Sequence, residues 1–320
     1  MNSLNATRYK EKEMKTQTKN IAPKRTNVRT RTHSLVKKVI STVSGINPML
    51  GANLGLRVFS TPFARKKRKN AFPTGTRVSN RVLNDKRVTI YKYGRSIRKV
   101  LLVHGWEGAA SDFSHFFEPL VQNGYEVVAI DLPGHGNSPK SRLNAIMAGE
   151  IIRELEINNG PYSAIVAHSF GAFSTGYALS KFKELENIPF VSVGSPNKLT
   201  SILKNFSSLI GFNKLQSDYL FSKIEKDLNI RINEFEQGKF LKVHNGPVLV
   251  VHDKLDKQVP FKVVNEIKGE TIYPKFLLTE GLGHNRILRD RETIGEVLKF
   301  LNLWKDTRHQ FEGAYRFGLL

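Results

Sequence analysis

From residue 99 onward the chain alternates short β-branched runs with helical stretches, and this alternation restricts the fold more than any other feature. The strand candidates are 99–104, 125–131, 163–168, 189–194, 247–252 and 275–279. Between them lie helical candidates at 111–123, 144–156, 170–182, 261–268 and 291–304. Apolar strands separated by helices must be covered on both faces, so the expected class is α/β, with a mostly parallel central sheet. Ahead of this region, 77–83 and 87–93 flank Asn84-Asp85-Lys86 with a period near two and read as a hairpin. One interval breaks the alternation. Residues 198–245 show no strand pattern, only helical patches at 199–209 and 219–228. That is too long for a plain loop, so a small helical cap over the carboxyl edge of the sheet is expected.

Charge divides the chain differently. The net charge of +22 comes from residues 1–100, which carry 25 Lys and Arg against three acids, Glu11, Glu13 and Asp85. Residues 101–320 carry 25 of each sign. A neutral domain therefore follows a basic arm, and the two need separate explanations. Residues 1–32 lack apolar periodicity and are expected to form a disordered basic tail. Their Arg- and Thr-rich character suggests a transit peptide, but Glu11, Glu13 and several Asn argue against one. Residues 33–72 read as a basic extension with an amphipathic helix: Leu35, Val36, Val39, Ile40 and Val43 recur at helical spacing, and Gly45 and Pro48 close the run. A further apolar stretch at 50–59 leads to the basic cluster 65–69. The domain proper is expected over 73–305, followed by a tail at 306–320. No window reaches the roughly 18 consecutive apolar residues of a membrane span, and no apolar signal region is visible. With no cysteine, disulfides, a thiolate nucleophile and cysteine–zinc sites are excluded, and a cytoplasmic setting is expected.

Four short motifs carry the chemistry. In Ala167-His168-Ser169-Phe170-Gly171 a serine sits between a strand and a helix. A sharp turn there pushes the hydroxyl outward and demands small residues two positions to either side. Taken alone, the same serine could be an ordinary helix cap. His104-Gly105-Trp106-Glu107-Gly108 leaves the strand 99–104 through glycines that let a backbone amide point at a developing oxyanion. His104 is expected to shape that loop rather than to titrate. After the strand 247–252 come two competing aspartates, Asp253 and Asp256, either of which could orient a histidine. The spacing to Val259-Pro260 favours Asp256. Finally, Gly281-Leu282-Gly283-His284 places a histidine past the last strand. Ser169, Asp256 and His284 thus follow one another in chain order, each just beyond a strand and so at one edge of the sheet.

On these residues, from about 99 to 303, the chain resembles the α/β-hydrolase superfamily. The matching motifs are Val103-His104-Gly105-Trp106-Glu107-Gly108, Asp131-Leu132-Pro133-Gly134-His135-Gly136-Asn137-Ser138, the serine turn, Asp256 with Val259-Pro260, and Gly283-His284. The 131–138 stretch is a structural loop in that superfamily, so Asp131 and His135 are not expected to be catalytic. Two departures stand out: Ala167 in place of a glycine, and Asp253 where glycine is usual. Within the superfamily, the first motif and the run 281–290 resemble bacterial α/β-hydrolases of undefined substrate. Members of that group also carry a Phe-x-Thr-Pro plus basic stretch before the domain, as Phe59-Ser60-Thr61-Pro62 does here.

The resemblance implies a serine hydrolase cleaving a carboxylic ester-type bond through an acyl-enzyme intermediate. Ser169 would be the nucleophile, His284 the base and Asp256 its orienting carboxylate, with the amides of Trp106 and Phe170 as oxyanion donors. A serine nucleophile disfavours the epoxide and haloalkane hydrolases of this fold, which use aspartate there. Thioester, lipid, peptide and C–C bond hydrolysis use the same constellation, and a non-catalytic binding protein is the alternative from another class. No cofactor or metal is expected. The Phe, Leu and Ile content of 198–245 suggests a small-molecule substrate with an apolar acyl or aromatic group. For the basic arm, a solvated tail and packed helix compete with weak contact to an anionic membrane surface, and nucleic acid is the least favoured partner.

Overall fold

A computed structural model describes residues 27–66 and 71–304. In chain order these form α1 (Asn27–Ile46), α2 (Pro48–Phe59), β1 (Arg77–Leu83), β2 (Lys86–Tyr93), β3 (Lys99–Val103), α3 (Ser114–Gln122), β4 (Glu126–Asp131) and α4 (Ala145–Asn159). They continue with β5 (Tyr162–His168), α5 (Phe170–Lys181), β6 (Phe190–Val193), α6 (Leu199–Ile210), α7 (Lys214–Leu228) and α8 (Gln237–Val243). Last come β7 (Val248–Asp253), α9 (Lys262–Glu270), β8 (Lys275–Thr279), α10 (Gly283–Arg286) and α11 (Arg291–Trp304).

Among the described residues one sheet of eight strands runs in the order β1-β2-β4-β3-β5-β6-β7-β8. The β1–β2 and β2–β4 pairs are antiparallel and every other pair is parallel. The chain leaves β3 to one side for β4 and then crosses back to β5 on the other. Loops after β3 and β5 therefore diverge, and a crevice opens at their carboxyl ends, where open α/β sheets bind ligands.

The central strands are buried on both faces, yet their side chains still divide with period two. Leu101, Val103, Val128, Ile130 and Ile165 pack with Ile151, Ile152 and Leu155 of α4. Val100, Leu102, Val127, Ala129 and Val166 face Phe117 and Leu120 of α3 and Val297 and Leu301 of α11. This is the α/β-hydrolase architecture expected from the sequence: a mostly parallel sheet between two helical layers.

A third apolar cluster roofs the sheet. Leu199 and Leu203 of α6, Leu220 and Ile224 of α7, and Phe235 and Phe240 around α8 pack with Phe173 of α5 and Ala52 of α2. The basic extension is thus part of the roof. Gly51 lets α2 press against Ser44 of α1, where an added Cβ would stand 2.6 Å from the Ser44 Cα. Gly55 meets the Phe212 ring between α6 and α7, and the Phe59 and Phe206 rings meet edge to face at 5.0 Å.

Two readings of the arm need correction. Residues 27–32, assigned above to a tail, open α1. Pro48 does not merely close the first helix but begins the second: Asn47 caps α2 by accepting from the Met49 and Leu50 amides, and proline is favoured at a first helical position because no N–H is needed there. The helical patch read at 219–228 begins earlier, at Lys214, behind a reciprocal Asn213–Gln216 cap, and α8 went unread. Residues 1–26, residues 67–69 of the basic cluster and the segment 306–320 lie outside the described residues. Among the described residues no helix is long and apolar enough to cross a membrane.

Replacing Gly51 by leucine should prise α1 from α2 at a cost of about 1–3 kcal/mol, a usual cost of overpacking. Limited trypsin digestion should then cut within residues 27–66 while the sheet domain persists. An unchanged digestion pattern would show that the close helix crossing is not needed.

Candidate active site

The turn between β5 and α5 is built around one strained residue. Ser169 has φ +52° and ψ −120°, a region that side chains rarely adopt. Its amide donates to the Val193 carbonyl (2.8 Å), and its carbonyl accepts from Phe173 in the first turn of α5. Gly171 allows that helix to start hard against β3, where an added Cβ would lie 2.4 Å from the His104 carbonyl oxygen and 2.7 Å from that of Val103. On the other side of the turn Ala167 is fully buried between Val103 and Ser192, so its methyl group fits where glycine is usual.

Asp256, from the loop after β7, and His284, at the start of α10, converge on this serine. His284 Nε2 is 2.9 Å from Ser169 Oγ, and His284 Nδ1 is 2.6 Å from Asp256 Oδ2. Both the imidazole and the carboxylate are buried, at 8% and 6% exposure, so neither spends its hydrogen bonds on bulk water. The other Asp256 oxygen accepts from the amides of Gln258 (2.8 Å) and Val259 (3.0 Å). Burial alone would raise the Asp256 carboxyl, but the bond to His284 and these amides outweigh it and hold its pKa below the usual value.

Asp253, the competing aspartate, does another job. Its Oδ2 accepts from Thr279 Oγ1 (2.8 Å) and from the Leu282 amide (2.9 Å), tying the loop that carries His284 to the end of β7. A glycine there could not make that tie.

Trp106 lies in the loop after β3, which folds through a Gly108-to-Gly105 backbone bond of 3.0 Å. An added Cβ on Gly105 would come within 2.9 Å of the Ser169 Cβ, so the loop approaches the serine as closely as backbone allows. Phe170 opens α5, where first-turn amides have no acceptor inside the helix. Among the described residues neither the Trp106 nor the Phe170 amide donates to a protein acceptor. His104 donates to the Gly105 carbonyl through Nδ1 and accepts from the Leu132 amide at Nε2 (3.0 Å), joining this loop to the 131–138 loop. There Asp131 accepts from the Ala110 and Asn137 amides and the Tyr91 hydroxyl, and Gly136 has no room for a Cβ against that carboxylate.

Sequence reasoning passed over two contributors. His168, immediately before the serine, donates from Nε2 to the His284 carbonyl (2.8 Å), and the two rings pack 4.6 Å apart. Its place in the serine motif was the available signal. The second is the extension. Glu107 accepts from the Phe63 and Ala64 amides, Arg65 donates to the carbonyls of Gly136 and Ser138, and Lys66 pairs with Asp112 at 3.2 Å. No local pattern could have indicated these contacts, which cross more than forty residues.

Ser169, His284, Trp106 and Phe170 open onto a cleft of about 1570 Å³. Its upper wall comes from α6, α7 and the α2–Phe63 segment. The cleft thus holds a serine hydroxyl bonded to a carboxylate-paired imidazole, beside two amides without a protein acceptor among the described residues.

Comparisons with known proteins agree with this architecture. Residues 100–209 match a family model described as "Alpha/beta hydrolase family". The human protein named Protein ABHD8 is 24% identical over 259 residues, covering 69% of this chain and 58% of that protein. The chain spans about 60% of the length of the curated relatives it matches. An esterase from Pyrococcus furiosus superimposes with a TM-score of 0.57 at 17% identity, over 75% of this chain and 98% of the other. A bacterial membrane phospholipase A does so with a TM-score of 0.55 at 14% identity, over 85% and 98%. At these identities the two structures attest the fold alone.

Burial makes the site region sensitive to acid. Desolvation lowers the pKa of His104 to about 4 and those of His135 and His168 to about 3. The unfolded chain binds these protons near pH 6.5 and the folded one does not, so stability is complete above 6.5 and falls as pH drops towards 3 to 4. At pH 5 each such histidine should cost on the order of 2 kcal/mol. Thermal melts should therefore show a marked loss of stability between pH 7 and pH 5. A flat profile would mean that these rings gain protons without penalty.

Proposed function

From the α/β-hydrolase fold of this chain, and its match to that family over residues 100–209, we propose that it is a serine hydrolase acting on carboxylic ester-type bonds. The carrying observation is the unbroken relay from Asp256 through His284 to Ser169, with bonds of 2.6 and 2.9 Å, ending on an outward serine in a strained turn.

In this reading Ser169 Oγ attacks the substrate carbonyl carbon while His284 Nε2 takes its proton. Asp256 keeps the Nδ1 proton facing itself and stabilises the imidazolium. The Trp106 and Phe170 amides receive the oxyanion, where preorganised donors are worth roughly 3–4 kcal/mol each. The imidazolium then protonates the leaving alcohol, and the C–O bond breaks to give the acyl-enzyme. His284 next removes a proton from water, which attacks the acyl carbon, and the acid departs as Ser169 recovers its proton. His168 and Asp253 act through His284, one on its carbonyl and one on its loop, as positioning residues. The apolar wall of the cleft supports a substrate with an apolar acyl or aromatic group.

A fluorophosphonate probe should label the folded protein at Ser169, as located by mass spectrometry, and the Ser169→Ala variant should remain unlabelled. Turnover of short-chain p-nitrophenyl esters should be lost in Ser169→Ala and fall roughly 10⁴-fold in Asp256→Asn, which removes the tautomer control. A folded protein that resists the probe, or turns over esters without Ser169, would overturn the assignment in favour of a binding protein.

A further inference from the structure

The cleft carries a charge pattern that ester hydrolysis does not require. Six cations and three acids line it: Lys37, Lys86, Arg142, Lys198, Lys204 and Lys262 against Glu107, Asp227 and Glu266. Every one of the acids is engaged. Glu107 accepts from the Phe63 and Ala64 amides, Asp227 pairs with Lys223 at 2.9 Å, and Glu266 accepts from Asn197. Of the cations, Lys198 faces Glu236 at 3.6 Å. Among the described residues the other five make no ion pair. Lys37, Arg142, Lys204 and Lys262 are exposed, so the unpaired charge sits where the cleft meets water.

Below that rim the wall is apolar. Phe59, Ile146, Phe173, Leu199, Ile202 and Phe206 line the space over the serine. At about 1570 Å³ the cleft also exceeds the roughly 300–1,000 Å³ usual for small-molecule sites. A short neutral ester would leave most of this wall wet and the cations without a partner.

We propose that the substrate is an anionic amphiphile: an ester whose long apolar chain lies under the α2–α6–α7 roof and whose phosphate or carboxylate group stays at the cationic rim. The proposal rests on the hydrolase reading for the bond that is cut, but the recognition it describes is measurable without turnover. Both halves of the site contribute, since apolar burial supplies affinity and the unpaired cations select the sign of the headgroup.

The test uses the full chain and non-hydrolysable probes below their micelle concentrations, followed by calorimetry. Dodecyl phosphate should bind at least about tenfold more tightly than dodecyl maltoside or dodecyltrimethylammonium, the sum of several exposed charge pairs. That preference should shrink at high salt. In the Lys204→Glu/Lys262→Glu variant it should disappear while dodecyl maltoside still binds. Inorganic phosphate should bind far more weakly than dodecyl phosphate. Equal affinity for the three amphiphiles, a preference untouched by the double reversal, or inorganic phosphate matching dodecyl phosphate would each overturn the proposal. Fluorophosphonate labelling of Ser169 on the same sample reports the hydrolase reading separately, so the two can fail independently.

Discussion

Ser169 holds a backbone conformation that costs on the order of 1–3 kcal/mol, and the centre of the molecule is arranged so that it cannot relax. The restraint comes from both sides. β5 is locked between β3 and β6 by parallel pairing, and α5 starts so close to β3 that even a Cβ on Gly171 would collide with the carbonyls of Val103 and His104. The Val193 carbonyl takes the Ser169 amide that the turn would otherwise leave unsatisfied. Strain at one residue is thus balanced by the burial of β5 and of the strands on either side of it. Its consequence is a hydroxyl aimed out of the sheet edge, towards His284.

The loops that complete the site depend on the same edge but are held by separate polar ties. Asp253 fastens the His284 loop to β7, His168 fastens it from below, and His104 joins the Trp106 loop to the 131–138 loop. The bonds of His168 and His104 are buried and the one to Asp253 partly so, and a buried donor or acceptor is costly to leave unmade, so each loop is confined to one arrangement. The histidines serve in this way because burial keeps them neutral, able to donate at one nitrogen and accept at the other.

The roof links the chain's two differently charged parts. Residues that supply the excess positive charge also supply α2 and the segment through Lys66, and these pack on α6 and α7 and bond to the Trp106 loop through Glu107. The extension therefore does more than solvate a neutral domain: it forms part of the wall over Ser169 and contributes Lys37 to the rim.

Much of this was readable locally. Apolar runs alternating with helices determined the layered α/β class, because strands such as Val100-Leu101-Leu102-Val103 have apolar side chains on both faces and need cover on both. The order Ser169, Asp256, His284, each past a strand, pointed to one edge of the sheet. The α7 start behind Asn213 was also written locally, but as a capping pair rather than an apolar period. The spacing to Val259-Pro260 singled out Asp256 over Asp253, and the fold brings that carboxylate to His284. Other features had no local trace. That residues 59–66 close over the site depends on hydrogen bonds to partners more than forty positions away. Sequence alone determined what each segment would become, because period, capping and glycine placement act over a few residues. Tertiary structure decided which side chains share one cleft and which charges are left unpaired there, because packing brings distant residues together irrespective of their separation along the chain.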